Sequence, residues 1–479
     1  MTKRRPCPPA PGPLEDYAAQ FDALFARLAQ RRGLRAYLQG LLLPRDRNKT
    51  MTALAGAEPI VGAQHATVQG LQWFLTESSW DHERVNQRRV ELLVADPATA
   101  PHDQGVLVLD DSGDRKAGRH TAHVARQYLG SLGKTDNGIV AVTSLWASER
   151  VYWPVHVVPY TPASRLAKGK RDPAFRTKPQ LAAELVQAAR QAGIGFRAVV
   201  ADCFYGDNTG FTEALGRASE AYVLAVKPRK GVWAPAEEAH TPREAAAGLA
   251  WTSPEQPGDW TPIQRRFRDG HTETWWAADA SLPAAGWGPD RRIRLVVATT
   301  DPATLPKLST WYLVTNLPRP QRRRARPAFA PADLAEVVRL YSLRNWVEQA
   351  TSRSSTSWAG PTSRSAPTGR SAATGSWCAA RSRFAGGPGS PSHRQHRRCR
   401  MSSPPRRARG GRPPSSSASM PGGVVAWPVT LRRVRGWLTP WVVLGRWWRA
   451  WSTAPPPAQL QRLLDAAHAG QPLHLYLPP

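Results

Sequence analysis

The chain has 479 residues, and its 65 lysines and arginines against 36 aspartates and glutamates give a formal net charge of +29. A charge of this size predicts binding to a polyanion, and it favours DNA or RNA over a membrane surface. The four cysteines lack CxxC spacing, no apolar run is long enough to span a bilayer, and the N-terminus lacks the apolar core of a signal peptide. We therefore expect a cytoplasmic protein with neither a disulfide framework nor a zinc site, and with no membrane partner.

Residues 1–13 are rich in proline, and we predict a disordered tail there. Residues 14–97 carry apolar side chains at helical spacing, beginning with Phe21, Leu24, Phe25 and Leu28, which predicts a helical N-terminal domain. Further helices are predicted near residues 34–43 and 68–75. The basic side chains of this domain include Arg31, Arg32, Arg35, Arg45, Arg47 and Lys49. They make the domain a candidate DNA-binding module, and a structural cap with solvated arginines fits the pattern equally well.

Residues 98–230 predict the order strand, strand, strand, helix, strand, helix, strand. The predicted elements, in chain order, are Val106–Asp110, Gly138–Ala147, Val151–Tyr160, Pro179–Ala192, Phe196–Asp202, Asn208–Ala218 and Ala221–Lys227. Three antiparallel strands followed by alternating helices and strands are typical of an α/β fold with an RNase H-like mixed sheet. In that sheet the first and fourth strands are neighbours.

Carboxylates stand at the ends of two of these strands. The first strand runs into Asp110 and Asp111 before a predicted turn at Ser112-Gly113, and the fourth ends at Asp202. A third carboxylate, Glu348, lies in a helical run. Two strand-end aspartates and a helix glutamate can converge on a pair of divalent cations, which is the arrangement that metal-assisted phosphodiester chemistry needs. A single aspartate at a strand end is usually a turn or capping residue, but three such sites together favour the metal site.

Residues 231–331 predict a β-rich insertion with strands at 293–298 and 311–316, and residues 332–349 predict the core helix that carries Glu348. Tyr341 and Arg344 precede Glu348 by seven and four positions, so a continuous helix would place all three on one face. Arg344 could then orient the carboxylate or bind a phosphate. A basic loop separates the insertion from this helix and contains Arg319, Arg322, Arg323, Arg324 and Arg326.

Four motifs in this order resemble the DDE transposases of bacterial insertion sequences, in particular the insertion sequence 701 group. They are LDDSG at 109–113 with KAG at 116–118 and ARQYLGSLGK at 125–134, DCFYGDN at 202–208, Tyr341-x2-Arg344-x3-Glu348, and WPV with LRRVRGWL at 427–438 followed by APPP at 454–457. The likeness covers about residues 15–349 and 425–479.

The resemblance implies an RNase H-like catalytic core that cleaves DNA at transposon ends and transfers the strands into a target, a DNA recombination reaction. It implies Asp111, Asp202 and Glu348 as catalytic ligands of two Mg²⁺ or Mn²⁺ ions. Asp110 remains an alternative to Asp111, which is favoured because the family aspartate directly precedes Ser or Thr. The supporting residues would be Asp110, Tyr341, Arg344 and Lys116, and the DNA-binding residues Arg322, Arg323, Arg324, Lys134 and Arg126. The partners would be transposon-end and target DNA near the bacterial nucleoid, with a homodimer on paired ends.

The composition breaks after Gln349. Residues 350–424 are rich in Ser, Arg, Gly and Pro, contain no Asp or Glu, and place Ser355 where the family has a lysine. With suitable synonymous codons, residues 350–360 read in another frame give a lysine-bearing helix, which favours two compensating frameshifts over a genuine disordered basic linker. Residues 425–479 again predict C-terminal helices. We therefore expect a degenerate transposase of low activity, with a non-catalytic DNA-binding remnant as the alternative.

Overall fold

The structure is a computed structural model that describes part of the chain. The described residues are 7, 12–42, 51–55, 66–116, 118, 120–232, 234, 236–267, 271–283, 292–320, 328–345, 458, 461, 462 and 465. The helices are α1 (Gly12–Ala19), α2 (Leu28–Leu42), α3 (Met51–Leu54), α4 (Ala66–Thr76), α5 (His82–Ala95), α6 (Lys178–Gln191), α7 (Cys203–Gly206), α8 (Thr209–Arg217), α9 (Pro242–Ala247) and α10 (Leu334–Ser342). The strands are β1 (Val106–Arg115), β2 (Ala125–Leu129), β3 (Lys134–Ala147), β4 (Tyr152–Pro159), β5 (Ala198–Ala201), β6 (Tyr222–Ala225), β7 (Thr261–Arg266), β8 (Thr272–Pro283), β9 (Arg292–Thr299) and β10 (Thr310–Thr315).

The N-terminal region is helical as predicted, but the helix expected through Phe21 to Leu28 is wrong. A single 3₁₀ turn, Asp22–Leu24, lies between α1 and α2, and Phe25 after it is extended. Phe21 and Phe25 are both fully buried, and the Phe25 ring lies 6.0 Å from that of Phe74 in α4. The spacing of these apolar residues therefore arises because they pack into the core of the N-terminal domain, and not because they lie on one continuous helix.

Two arginines counted in the basic N-terminal face are buried. The Arg35 guanidinium lies 2.5 Å from Glu15 and 2.7 Å from Asp22, and only 6% of its side chain is exposed. Arg31 is also buried. Because two carboxylates face Arg35, its charge is compensated inside the domain, so Arg35 helps to hold α1 against α2 and contributes nothing to a DNA-binding face.

The core is one mixed sheet, in the order β2-β3-β1-β5-β6-β10-β9-β8-β7, with β4 also paired to β3. Strand β1 is antiparallel to β3 and parallel to β5, and β5 is parallel to β6. The predicted contact between the first and fourth strands is confirmed, since these strands are β1 and β5. The arrangement is the RNase H-like α/β fold that the strand order predicted.

Strand β1 does not end at the carboxylates. It pairs with β3 without interruption from Val106 opposite Ala147 to Arg115 opposite Gly138, so the turn predicted at Ser112-Gly113 is wrong. Gly113 is required for a different reason. A Cβ atom there would lie 3.1 Å from the Cα of Leu129, so glycine lets β2 pass close to β1. The short strand β2 was missed because four of its five residues alternate between half-buried and exposed positions, and only Leu129 is buried.

The strands predicted as a β-rich insertion are hydrogen-bonded to the core. Strand β10 pairs antiparallel with β6, and β9, β8 and β7 extend the sheet from there. Residues 231–331 therefore continue the same sheet past β6.

Successive residues of β1 and β5 point to opposite faces of the sheet. On one face Leu107, Leu109, Val199 and Ala201 pack with helices α6 and α8. On the other face Val106, Val108, Ala198 and Val200 pack with α10. This alternation decides which carboxylate meets which helix.

Helix α10 is shorter than predicted. It ends at Ser342, and the Arg344 N–H donates to the carbonyl of Tyr341 in a tighter turn. The Ser342 hydroxyl also donates to the carbonyl of Arg339, which offers the backbone an alternative to the helical ladder. The continuous helix predicted over 332–349 is therefore interrupted near Leu343.

No helix within the described ranges is long and apolar enough to cross a membrane. The stretch 350–424 lies outside those ranges. Of the predicted C-terminal helices, only Ala458, Gln461, Arg462 and Asp465 fall within them, and all four are helical.

Candidate active site

Asp110 and Asp202 lie side by side at the centre of the sheet. Leu109 of β1 is in register with Ala201 of the parallel strand β5, and each is followed by one of the two aspartates. Leu109 and Ala201 face α6. Because successive residues of a strand point to opposite faces, Asp110 and Asp202, each one residue further along, point to the face that α10 covers. The two carboxylates are thus brought together although 91 residues separate them in the chain.

Each of these aspartates has one oxygen bound to the backbone and one directed to the site. Asp110 Oδ1 accepts a hydrogen bond from the N–H of Asp111 at 2.9 Å, and Asp202 Oδ1 caps α7 by accepting from the N–H of Phe204 at 3.0 Å. Their Oδ2 atoms lie 3.5 Å and 3.9 Å from Nη2 of Arg344. Asp202 therefore does cap a helix, as a single aspartate at a strand end usually does. The cap uses only one of its two carboxylate oxygens.

Arg344 approaches from the end of α10. Its position follows from the packing of Val337, Leu340 and Leu343 against the underside of the sheet. The guanidinium lies near both aspartates. The predicted role of Arg344, orienting the Glu348 carboxylate or binding a phosphate, stays a prediction. Glu348 itself lies outside the described residues, four positions further along the chain.

Asp111 occupies the other face of the sheet. Its Oδ2 forms an ion pair with Nζ of Lys178, the first residue of α6. The Lys178 ammonium also lies 5.4 Å from the centre of the Phe204 ring. Asp111, the residue favoured by its position before Ser112, is therefore held by α6, and Asp110 is the aspartate that shares a face with Asp202.

Burial dominates the electrostatics of this cluster. Burial raises the pKa of Asp110 to about 7; Arg344 opposes the shift, and the charges of Asp202 and Asp111 add to it. The pKa of Asp202 is raised by burial as well, and Arg344 again opposes the rise. Two half-buried carboxylates that repel one another are stabilised by a cation between them, and Arg344 supplies part of that charge.

Tyr205 is a site residue that the sequence analysis missed. It is fully buried, and its hydroxyl has no hydrogen-bond partner among the described residues. Its pKa is raised well above the usual value by burial and by the charges of Asp111, Asp110 and Asp202. Tyr205 follows Asp202 by three positions, which was the available signal. Lys178 was also missed, and its signal was the helix start Thr177-Lys178-Pro179-Gln180, where Thr177 and Gln180 form a capping box.

The remaining predicted residues lie at varying distances from the cluster. Lys116 is buried and pairs with Asp114 at 2.7 Å, so it stabilises the end of β1 rather than the aspartate site. Tyr341 packs its ring 4.9 Å from that of Trp311 in the core. Arg126 and Lys134 are exposed on the β2–β3 hairpin, where a nucleic acid could reach them. Three predicted DNA-binding residues lie outside the described part of the chain: Arg322, Arg323 and Arg324.

The donor set fits a divalent cation. Asp110 and Asp202 direct one carboxylate oxygen each to a common space, and oxygen ligands are those that Mg²⁺ and Mn²⁺ prefer. No cluster of three or more metal-ligating side chains occurs within the described ranges. The third ligand expected from the sequence, Glu348, falls beyond them.

Comparisons with known proteins agree with this geometry. The family described as DDE superfamily endonuclease matches residues 20–287. The chain is also 31% identical over 355 residues to a protein of Microchaete diplosiphon described as a probable transposase for insertion sequence element IS701, covering 74% of this chain and 82% of that protein. The strand order, the paired aspartates and these two matches show that the chain belongs to the DDE transposases of the insertion sequence 701 group.

Proposed function

We propose that this transposase cleaves the ends of its insertion sequence and joins them to target DNA, with Asp110, Asp202 and Glu348 as ligands of two Mg²⁺ or Mn²⁺ ions. The supporting observation is the shared sheet face of Asp110 and Asp202, on which the chain leading to Glu348 also arrives. This proposal replaces Asp111 by Asp110 in the predicted ligand set, because strand alternation directs Asp111 to Lys178.

Bound divalent ions would lower the pKa of the attacking water or 3′-hydroxyl and stabilise the leaving oxygen. The protein's own groups position the DNA. Arg344 lies within 4 Å of both aspartates and offers a planar cation to a non-bridging phosphate oxygen. Lys178 keeps Asp111 on the α6 face and adds a second positive charge at the rim of the cluster. Two paired ends require two active sites, so we propose a homodimer on the DNA, acting in the cytoplasm beside the nucleoid.

A nicking assay tests the proposal. The protein is incubated with a supercoiled plasmid that carries the DNA flanking its own gene, in Mg²⁺, in Mn²⁺ and in EDTA. We expect nicks at the insertion-sequence ends that need the metal ion and disappear in Asp202→Asn, while DNA binding by this variant remains. Metal-independent nicks, or an Asp202→Asn variant as active as the parent, would contradict the proposal.

The composition break after Gln349 supports a second function, that of a DNA-binding remnant without catalysis. Glu348 precedes this break by two residues, and a ligand whose supporting helix is lost is poorly positioned. The nucleotide sequence at codons 350–424 tests the frameshift hypothesis directly. If another frame encodes a lysine-bearing helix there, we expect a frame-restored protein to nick the ends and the present chain to bind them with little or no nicking.

A further inference from the structure

We propose that residues 161–178, here called the basic strap, bind the DNA backbone beside the aspartate cluster. The strap contains six basic residues and one acidic residue, Asp172. The inference rests on the proposed function, since it assigns a surface to the DNA that the aspartates would cut. None of the strap residues was among the DNA-binding residues predicted from the sequence.

Both ends of the strap are anchored at the aspartates. Strand β4 ends at Pro159, which is in register with Ala141, and Ala141 in turn pairs with Ser112, the residue after Asp111. The other end is Lys178, which is ion-paired with Asp111 itself. Both ends of the loop therefore lie beside Ser112 and Asp111, at the edge of the aspartate cluster. A DNA strand bound to the loop would pass next to Asp110 and Asp202.

The backbone of the strap is held in one conformation. The Thr161 hydroxyl lies 2.7 Å from Nδ1 of His123, and the Arg165 guanidinium donates to the carbonyl of Val124. Gly169 opens the second of two 3₁₀ segments, Ala163–Arg165 and Gly169–Arg171, with a φ of +57°, which favours glycine. Asp172 accepts hydrogen bonds from the N–H groups of Lys168 and Ala174. Because this loop is ordered before it meets a ligand, binding to it costs little conformational entropy.

The central charges of the strap are not compensated. Lys168, Lys170 and Arg171 are exposed, and none of them has a carboxylate within ion-pair distance among the described residues. The one nearby acid, Asp172, is occupied with backbone N–H groups. Three exposed cations on a short loop can each neutralise a phosphate, and neutralising phosphates is the main source of non-specific DNA affinity.

Neighbouring groups favour DNA over a membrane surface. The two large apolar residues of the strap, Leu166 and Phe175, are half-buried, so the loop offers no large apolar side chain to insert into lipid. Phe204, by contrast, is 46% exposed beside Lys178 and next to the aspartates. An aromatic ring adjacent to a cation offers a stacking surface for a nucleobase, which a lipid headgroup does not use.

The test compares two pairs of substitutions in the full chain. Lys168→Gln/Arg171→Gln removes two strap charges. Arg150→Gln/Arg217→Gln removes two exposed charges at the opposite end of the sheet, in the β3–β4 turn and at the end of α8. Affinity for a fluorescein-labelled duplex of arbitrary sequence is measured over a range of KCl concentrations. We expect the strap variant to flatten the plot of log affinity against log salt by about 1.8, the value for two lost phosphate contacts, and the control variant to change it by much less.

Lysine protection in the unmodified protein provides a second measurement. An amine-reactive reagent is applied with and without the duplex, and labelling is read by mass spectrometry. We expect DNA to protect Lys168 and Lys170 more strongly than Lys307, an exposed lysine in the turn between β9 and β10. A strap variant with the same salt slope as the control variant, together with equal protection of these lysines, overturns the inference.

The two proposals fail in different ways. If the parent nicks its ends but the strap lysines are unprotected, the strap is not the DNA-binding surface and the transposase function stands. If DNA protects the strap lysines but nicking is unaffected by Asp202→Asn, the strap binds DNA and the proposed catalysis fails.

Discussion

Asp111 and Lys178 form an ion pair on the α6 face of the sheet, one residue along β1 from the carboxylate that faces α10. The two adjacent aspartates therefore lie in different environments. Asp110 lies near Arg344 and Asp202, and Asp111 is ion-paired with Lys178. Adjacent acids in a sequence motif can therefore have separate roles, because a β-strand sends them to opposite faces.

This division predicts unequal effects of substituting the two aspartates. We expect Asp110→Asn to reduce metal-dependent nicking to background, because it removes one of the proposed metal ligands. Asp111→Asn should cost about 10- to 100-fold, as expected for a residue that orients the site without binding the ion. In a frame-restored protein, if the present chain is inactive, the same order should hold. A larger loss in Asp111→Asn than in Asp110→Asn would return the ligand role to Asp111.

Lys178 should behave as the partner of Asp111. We expect Lys178→Met to lower nicking about as much as Asp111→Asn, and the double substitution to cost little more than either single one, because the two side chains act as a pair. Circular dichroism checks that α6 remains folded. Additive losses in this double-mutant cycle would show that the two residues act independently.

We expect substitution of the buried Tyr205 hydroxyl to have opposite effects on stability and on nicking activity. It has no partner among the described residues, so Tyr205→Phe should leave the free energy of unfolding unchanged or raise it by about 1 kcal/mol. Because the charges of Asp111, Asp110 and Asp202 all raise the pKa of this hydroxyl, we expect it to donate a hydrogen bond in the working complex and nicking to fall in the variant. Urea unfolding and the nicking assay measure the two effects. A clearly destabilised variant would mean that the hydroxyl already has a partner in the free protein.

Two glycines offer a matched test of packing beside Asp202. A Cβ atom at Gly206 would lie 1.9 Å from the carbonyl oxygen of Ala225, so Gly206→Ala must push α7 away from β6. We expect it to destabilise the fold by about 1–3 kcal/mol, the usual cost of overpacking, and to displace Asp202 at the start of α7. Gly216 lies in α8, and a Cβ atom there would meet nothing within 4 Å, so Gly216→Ala should stabilise the protein by about 0.5–1 kcal/mol. Thermal unfolding of both variants checks the opposite signs.

His156 predicts how stability depends on pH. Burial, together with the smaller effect of the Arg89 charge, lowers the pKa of His156 to about 4. The unfolded chain, whose histidine titrates near 6.5, therefore binds a proton that the folded protein rejects. The contribution of His156 is present above pH 6.5 and is lost as the pH falls toward 4. We expect the melting temperature of His156→Leu to fall less than that of the parent between pH 7 and pH 4.5, and equal slopes would contradict this assignment.

The amino-acid sequence alone determined the fold class, the chain order of β1, β3, β4, β5 and β6, and the approximate positions of Asp110, Asp111 and Asp202. These features depend on local patterns, namely apolar runs, strand-end acids and motif order, which the chain carries wherever it folds. The faces to which Asp110 and Asp111 point depend on the register of β1 with β5 and on packing against α10, and our proposal of Asp110 as the ligand rests on those faces. The buried state of Arg35, the pairing of Asp111 with Lys178 and the anchoring of the basic strap likewise required the tertiary structure. Each is a contact between residues far apart in the chain, and no local periodicity encodes such a contact.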